Sequence, residues 1–596
     1  KITRKIDANN KATSYSYTQD ERLLSVSSGT VTQTYGYIPA GVENAGKIER
    51  VSDGLKTTLY SYYPDGRLKK TVFDGVKTEY EYSVSNGIET KTVTDAENKR
   101  VTTVMNGHGK ILRTLYESDG SEDLYEYDAN GNMVKLTHKK GGTSYSYIYV
   151  YDAANRMTSV TYDNEQPVTY TYDGSGNIRT KTEGSIVTSY VYDNYSRITR
   201  TDAGASVMER LTYSDSCPSC CAGNQRIASE FIEGYGTITY GYTAEGWLET
   251  TVYSPYNLPQ TVIQNEYDSV GNLKKVKLDG SYITEYSYDS VNFRQDRVYD
   301  LIGGGSGVYQ VAYDQAGNKT SITYPNRNMM EYSYGQAYRL TKANGYLLKK
   351  SGEKELITKN EIMLRDAVGN IRQKAVNTGL INYEYDALYQ LTGYQNAAAA
   401  NISYGYDYRG NRETMLNAGV STTYGLSNNN KTTSIVAGTT RVLEYDNRGN
   451  LFKKGLASFY WDYKNRLITS YAGGIDKFLY NNADRKIYRE YGSLYDRRAV
   501  YYYYNNDKLI CEKDHLGRMQ KIYTHDNEGV LGMARHLYDQ YGTLKSVQKM
   551  YYLFDDLGSV TAITSSTGMP LKYYHYDPFG NITNTKEDEF NIFTFV

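Results

Sequence analysis

With 596 residues and 39% hydrophobic content, the chain is long for its share of apolar side chains, and its aromatics are lopsided: 68 Tyr against 11 Phe and 2 Trp. Its 67 basic and 68 acidic residues are mixed evenly to a net charge of -1, without the basic stripe that displaces phosphate counterions from nucleic acid. No apolar run approaches the roughly twenty residues of a membrane-spanning helix.

The chain opens Lys1-Ile2-Thr3, without an initiator Met or a charged-then-apolar leader, and stops at Phe593-Thr594-Phe595-Val596 in a strand-like stretch. Both ends are expected to be cuts through a longer polypeptide. Between them one phrase recurs: Tyr-Asp, two variable residues, then Gly-Asn. It appears at Asp128 with Gly131, Asp173 with Gly176, Asp268 with Gly271, Asp314 with Gly317, Asp407 with Gly410, and Asp446 with Gly449. Such a period marks one supersecondary unit copied in series, and stacked units share one continuous core.

The copy at 170–182 shows the physics. Tyr and Thr alternate up to Asp173, as in a strand with unlike faces. The Asp side chain can accept a backbone hydrogen bond two residues on and so nucleate a turn, while Gly176 supplies a positive φ. From Ile178 the alternation resumes as a return strand, so each copy reads as a β-hairpin. A second flavour, at 151–156, 192–197 and 461–466, carries Arg where the first carries Asn and lacks the Gly. The two flavours alternate from Asp152 to Asp193, which predicts turns in two environments, at opposite rims of the sheet.

Tyr145, Tyr147, Tyr149 and Tyr151 fall at every second position and line one face, part of a tyrosine ladder held by cross-strand pairs. A lone hairpin is marginal in water and a long flat sheet exposes edges, so a series of this length must curl or close. Twist accumulates with a fixed hand, which predicts a spiral wall, and dozens of strands make that wall too wide for side chains to fill. The array is predicted to be hollow.

Other segments carry weaker signals. Cys217, Cys220 and Cys221 lie within five residues, open to a disulfide, half of a metal or redox site, or free thiols. Gly303–Gly307 lacks the Lys-Ser/Thr of a phosphate-binding loop and reads as a hairpin loop. Lys349–Arg365 and Ala397–Ala400 break the pattern as a short helix or loop insertion. The Asp residues recur at every turn and do not converge as paired catalytic carboxylates would, and no Ser/His/Asp or Cys/His set can be assembled by spacing. No metal or cofactor is expected.

The repeats resemble the YD, or RHS, repeats of bacterial RHS and wall-associated proteins and of teneurins, over about residues 10–530. Near the C-terminus, Leu557-Gly558-Ser559 resembles the "HLGSV" signature of the RHS-associated core, with Asp556 where His is common. Asp577-Pro578-Phe579-Gly580 resembles its "YDPFG". The resemblance implies an all-β spiral shell over 1–540 and a partial core over 541–596, ending before the family's self-cleavage motif. It further implies a non-enzymatic wall for a C-terminal effector, on a secreted or cell-surface protein, with secretion machinery or surface glycans as further partners. The alternative is an adhesion or carbohydrate-binding protein; a hydrolase is weaker still, having no candidate site.

Overall fold

The computed structural model describes residues 1–7, 11–163, 165–214, 226–292, 294–305, 307–396, 401–426, 431–493 and 495–584. Cys217, Cys220, Cys221 and Ala397–Ala400 lie outside the described residues. Among those described there are 53 strands, from Arg4–Ile6 to Pro570–Tyr573, two short 3-10 turns, and no α-helix.

Strands pair antiparallel with their chain neighbours, as hairpins in series require. The exception is Leu340–Leu348, which pairs with Lys354–Thr358 and, through Lys342, with Asn360–Arg365. The polar stretch expected as a helix or loop is therefore strand, continuing the wall. Within Ile186–Tyr192, Thr188 is buried and Tyr190 and Tyr192 half-buried on one face, while Val187 and Val191 point into solvent. Phenols and threonines line the covered side.

The turns explain the repeat. Gly131 N–H donates to Asp128 O at 3.0 Å and Asp128 N–H to Asn132 O at 2.9 Å, with a bulge at Tyr127. This is a type I turn closed by a left-handed residue, which favours Asp first and Gly fourth. Gly131 has φ 83° and Gly176 φ 89°. Asn155 and Ser196 take the same place at 59° and 60°.

The two turn flavours do not occupy opposite rims. Turns at 128–132, 152–156, 173–177 and 193–197 are separated by two strands each and so share one rim. The other rim carries tighter connections such as Gly141-Gly142 and Gly184-Ser185. The flavours are interchangeable because Asn132 Nδ2 and Arg156 Nε do the same work. Each donates to the second carboxylate oxygen of its own turn Asp, at 2.9 and 2.8 Å.

The sheet winds back on itself. Thr30 meets Asn292, Asp74 meets Ala337, Glu97 meets Ala367, and Glu183 meets Asn465, at sequence separations of 262, 263, 270 and 282 residues. Later contacts close over shorter spans: 240 residues for Asn265 and Asn505, 207 for Lys319 and Asp526, and 182 for Lys374 and Asp556. The wall is a spiral that tightens toward its C-terminal end.

Burial follows this path. In the first 210 described residues the buried side chains are Ser, Thr and Glu; the first buried apolar residue is Leu211. From about Ile487 the strands bury apolar side chains against earlier strands. Tyr503, Cys511, Leu531 and Leu553 join Ile263, Val298, Tyr309 and Met330 in one apolar cluster. A second cluster of Tyr502, Tyr523, Tyr552, Val560 and Ile563 lies within the C-terminal strands.

Gly176 has open space around a hypothetical Cβ, so Gly176→Val isolates backbone strain. It should cost about 1–2 kcal/mol in urea melts, and Gly176→Asn less. Gly410→Val should lose a similar amount, because the one atom near its Cβ, Gln390 Nε2 at 2.8 Å, is the tip of a flexible side chain that can move aside. Asp173→Asn should leave the urea midpoint nearly unchanged, since Asn481 already fills the same place and accepts Arg485 N–H at 2.9 Å. A large loss there would refute this account of the turn.

Candidate functional site: the tier seam and the C-terminal cavity

Most rim turns are tied to the one before by the tyrosine at the end of the strand that leads into them, and the 462–466 turn by Trp461 Nε1, which donates to Leu451 O at 2.7 Å. Tyr192 O–H donates to Ile178 O at 2.8 Å, Tyr213 to Ile198 O at 2.7 Å, and Tyr406 to Leu391 O at 2.7 Å. The accepting carbonyl belongs to the first residue after the previous turn, where the bulge has carried the partner backbone off the ladder. A phenol is long enough to reach it and offers a ring to the next cation. Arg156 lies 4.6 Å over Tyr172, and Arg197 4.4 Å over Tyr213.

Between the first two tiers, several first-tier carboxylates accept from the second tier, while first-tier donors such as Lys11 and Lys99 reach back to second-tier carbonyls. Asp74 accepts Ala337 N–H at 2.8 Å, Glu97 accepts Ala367 N–H at 2.6 Å, and Glu230 accepts Asn482 N–H at 2.8 Å. Glu165 meets Lys431 at 2.7 Å, and Asp163 meets Arg409 at 3.4 Å. Glu230 is almost fully buried; burial raises its carboxyl above the usual range, while hydrogen bonds from Tyr240 and Asn482 oppose the rise.

Toward the C-terminal end the strands line a half-open cavity of about 1250 Å³, bounded by Tyr332, Tyr502, Lys508, His525, Asp526 and Phe554 among others. Its charged groups are largely engaged with one another. Lys319 meets Asp526 at 2.7 Å and Glu528 at 2.8 Å, and Lys521 meets Glu512 at 3.3 Å. Burial works against the Lys319 ammonium, but its two carboxylates outweigh that and raise its pKa. Lys508 donates to Asp526 O at 2.6 Å, and burial lowers its pKa. His525 is buried with Nδ1 unpaired; burial, then nearby Lys508, pushes it down to about 3.

The structure places the predicted turn residues along one rim, from Asp128 and Gly131 to Asp446 and Gly449, and does not gather them into a site. The two C-terminal signatures are the same turn again. Asp555 N–H donates to Ser559 O at 2.9 Å and Gly558 N–H to Asp555 O at 3.3 Å; Asp577 and Gly580 repeat this with Asn581. Leu557 is exposed at its tip, and Ser559 is fully buried. Phe579 stands edge-on to Tyr404 at 5.0 Å with Arg412 at 4.8 Å, joining the end of the chain to a strand of the tier before. Sequence reasoning missed Asp556, which is buried against Lys374. The only signal available was its departure from His in the signature.

With this geometry, known proteins can be compared. Residues 337–595 match the Teneurin YD-shell family and residues 151–186 the RHS Repeat. The chain is 28% identical over 215 residues to the tRNA3(Ser)-specific nuclease WapA of Bacillus spizizenii, and 26% to the tRNA nuclease WapA of Bacillus subtilis. Each match covers 34% of this chain but only 8% of the relative. Among solved structures, TcdB2-TccC3-Cdc42 superposes with TM-score 0.76 at 13% identity, over 96% of this chain and 34% of that one. The Tc holotoxin pore of Photorhabdus luminescens gives 0.74 at 14%, with the same coverage. The RHS/YD-repeat resemblance read from the sequence holds, and the fold is an all-β spiral shell.

A neutral His525 contributes stability that is full above its unfolded value near 6.5 and lost as pH falls toward about 3. His525→Gln should flatten that limb of the stability–pH curve, by up to about 4–5 kcal/mol at pH 3. Parallel curves for the two proteins would contradict a neutral buried imidazole. Tyr192→Phe should cost about 1 kcal/mol in urea melts, through the carbonyl left without its donor.

Proposed function

We propose that this chain is the non-catalytic wall of a shell that encloses a C-terminal effector of a bacterial RHS-type toxin, on a secreted or cell-surface protein. The observation that carries the reading is the continuous spiral sheet, whose contacts between tiers close over 262 residues at Thr30 and Asn292 and over only 182 at Lys374 and Asp556. The fold likeness to Tc toxin components and the sequence likeness to WapA nucleases both support it. The engagement of the cavity's charged groups in pairs also favours a wall over an enzyme. We place the change from outer wall to inner packed layer near Ile487 rather than near residue 540, because that residue already belongs to the large apolar cluster.

The glycan-binding alternative is weaker. Stacking a sugar needs free ring faces gathered in a groove, whereas Tyr172, Tyr213 and Tyr480 each carry an Arg over one face, and the exposed Tyr256 and Tyr541 are far apart in sequence, on separate connections between strands.

The test appends a small fluorescent domain after Val596 and exposes the fusion to a protease. Encapsulation predicts that the reporter resists cleavage in the intact protein and becomes sensitive at the denaturant concentration that unfolds the sheet. Cleavage of the reporter at the same rate as the free domain, with the sheet intact, would rule the reading out.

A further inference from the structure

The two halves of the inter-tier contact are built differently. From Leu211 onward the tiers are sealed by buried apolar side chains, beginning with Leu211, Ile232 and Ile238. Before that point the first tier buries no apolar residue among those described, and it meets the second mainly through polar and charged side chains. Such a contact is the low-stability end of a structure.

Two turns of the second tier break the backbone rule in this weak half. Most other turns place Gly, Asn or Ser in the left-handed region, and a few place a charged residue such as Glu21, Arg327 or Asp484; these two place an aromatic one, Tyr338 at φ 55° and Tyr389 at φ 64°. A bulky residue there is strained, and strain that the turn does not need points to work done elsewhere. Both rings face the first tier. Lys56 Nζ sits 4.0 Å over the Tyr338 ring, and Lys99 Nζ 3.1 Å over that of Tyr389. Tyr389 O–H donates to Asp95 Oδ2 at 2.6 Å, and Lys99 Nζ donates to Asp386 O at 3.2 Å. Glycine would satisfy either turn, but it could not reach across.

We propose that the seam over residues 53–97 of the first tier is a reversible, salt-sensitive closure, clasped by Tyr338 and Tyr389 and hinged where apolar sealing begins near Leu211. Opening exchanges charge-assisted contacts for hydrated groups and exposes no apolar core, so the rest of the shell can stay folded. The device goes beyond the enclosure reading: it concerns how the wall parts, whatever lies within.

Hydrogen exchange read by mass spectrometry tests it on the whole chain. Raising NaCl from 0.1 to 1 M shortens the screening length from about 10 to about 3 Å. Exchange in the seam turns 95–99, 335–339 and 386–390 should quicken several-fold, while strands 508–514, 519–525 and 560–564 stay unchanged. Tyr389→Gly restores the turn's usual residue, yet it should speed exchange at 95–99 about tenfold through loss of the ring and hydroxyl contacts. Lys99→Met should act in the same direction and keeps the experiment decisive if the glycine variant misfolds. Salt acceleration spread evenly over the chain, or a Tyr389→Gly or Lys99→Met protein whose 95–99 segment exchanges as before, would overturn the closure.

Discussion

A phenol hydroxyl reaching a backbone carbonyl holds this wall together along its rim. Each turn ends the regular ladder one residue early on one strand, because the bulge that closes it displaces the backbone. A carbonyl is thereby left at the start of the returning strand, and the next Tyr-Asp tyrosine fills it, as Tyr151 does for Met133 at 2.9 Å and Tyr576 for Val560 at 2.7 Å. An unpaired carbonyl at a half-covered edge is costly, and phenylalanine has nothing to offer it. This need accounts for part of the excess of 68 Tyr over 11 Phe, while buried rings such as Tyr235 and Tyr503 serve as aromatic filling.

That contact explains which parts of the fold could be read from residues alone. Turn and strand are encoded within a dozen neighbouring positions, so the hairpins, the bulge glycines and the strand alternation were legible. The equivalence of the two turn flavours was not, because it depends on Asn132 Nδ2 and Arg156 Nε reaching the same carboxylate oxygen from different side chains. The tier contacts are further from view. Asp74 finds Ala337 and Asp163 finds Arg409 across more than two hundred residues, in turn positions where the repeat leaves the residue free to vary. Lys349–Arg365 misled for a related reason: its charged side chains decorate a strand whose register is set by Leu340–Leu348, so composition hid the pairing.

The spiral changes material along its length. Its early strands have water on one side and half-buried phenols on the other, and they are held by ladders, phenol bonds and ion pairs of modest individual worth. Its late strands lie on the tier before them and bury tyrosines such as Tyr503, Tyr523 and Tyr552 completely. Burial raises the pKa of each of these phenols, so they stay neutral and cost the layer no buried charge.

A repeat that supplies its own rim bonds does not need a thick core, but it cannot by itself decide where a wall stops curling. The departures from the repeat set that limit here. Asp556, in place of the usual His, buries its carboxylate against Lys374 and draws a late turn onto an earlier strand. Phe579 in its exposed turn reaches Tyr404 and Arg412 in the same way. Each contact spans fewer residues than a full early turn of the spiral, so each forces a smaller radius. Closure of the C-terminal end is therefore written in residues that break the pattern, while the wall they close is written in those that keep it.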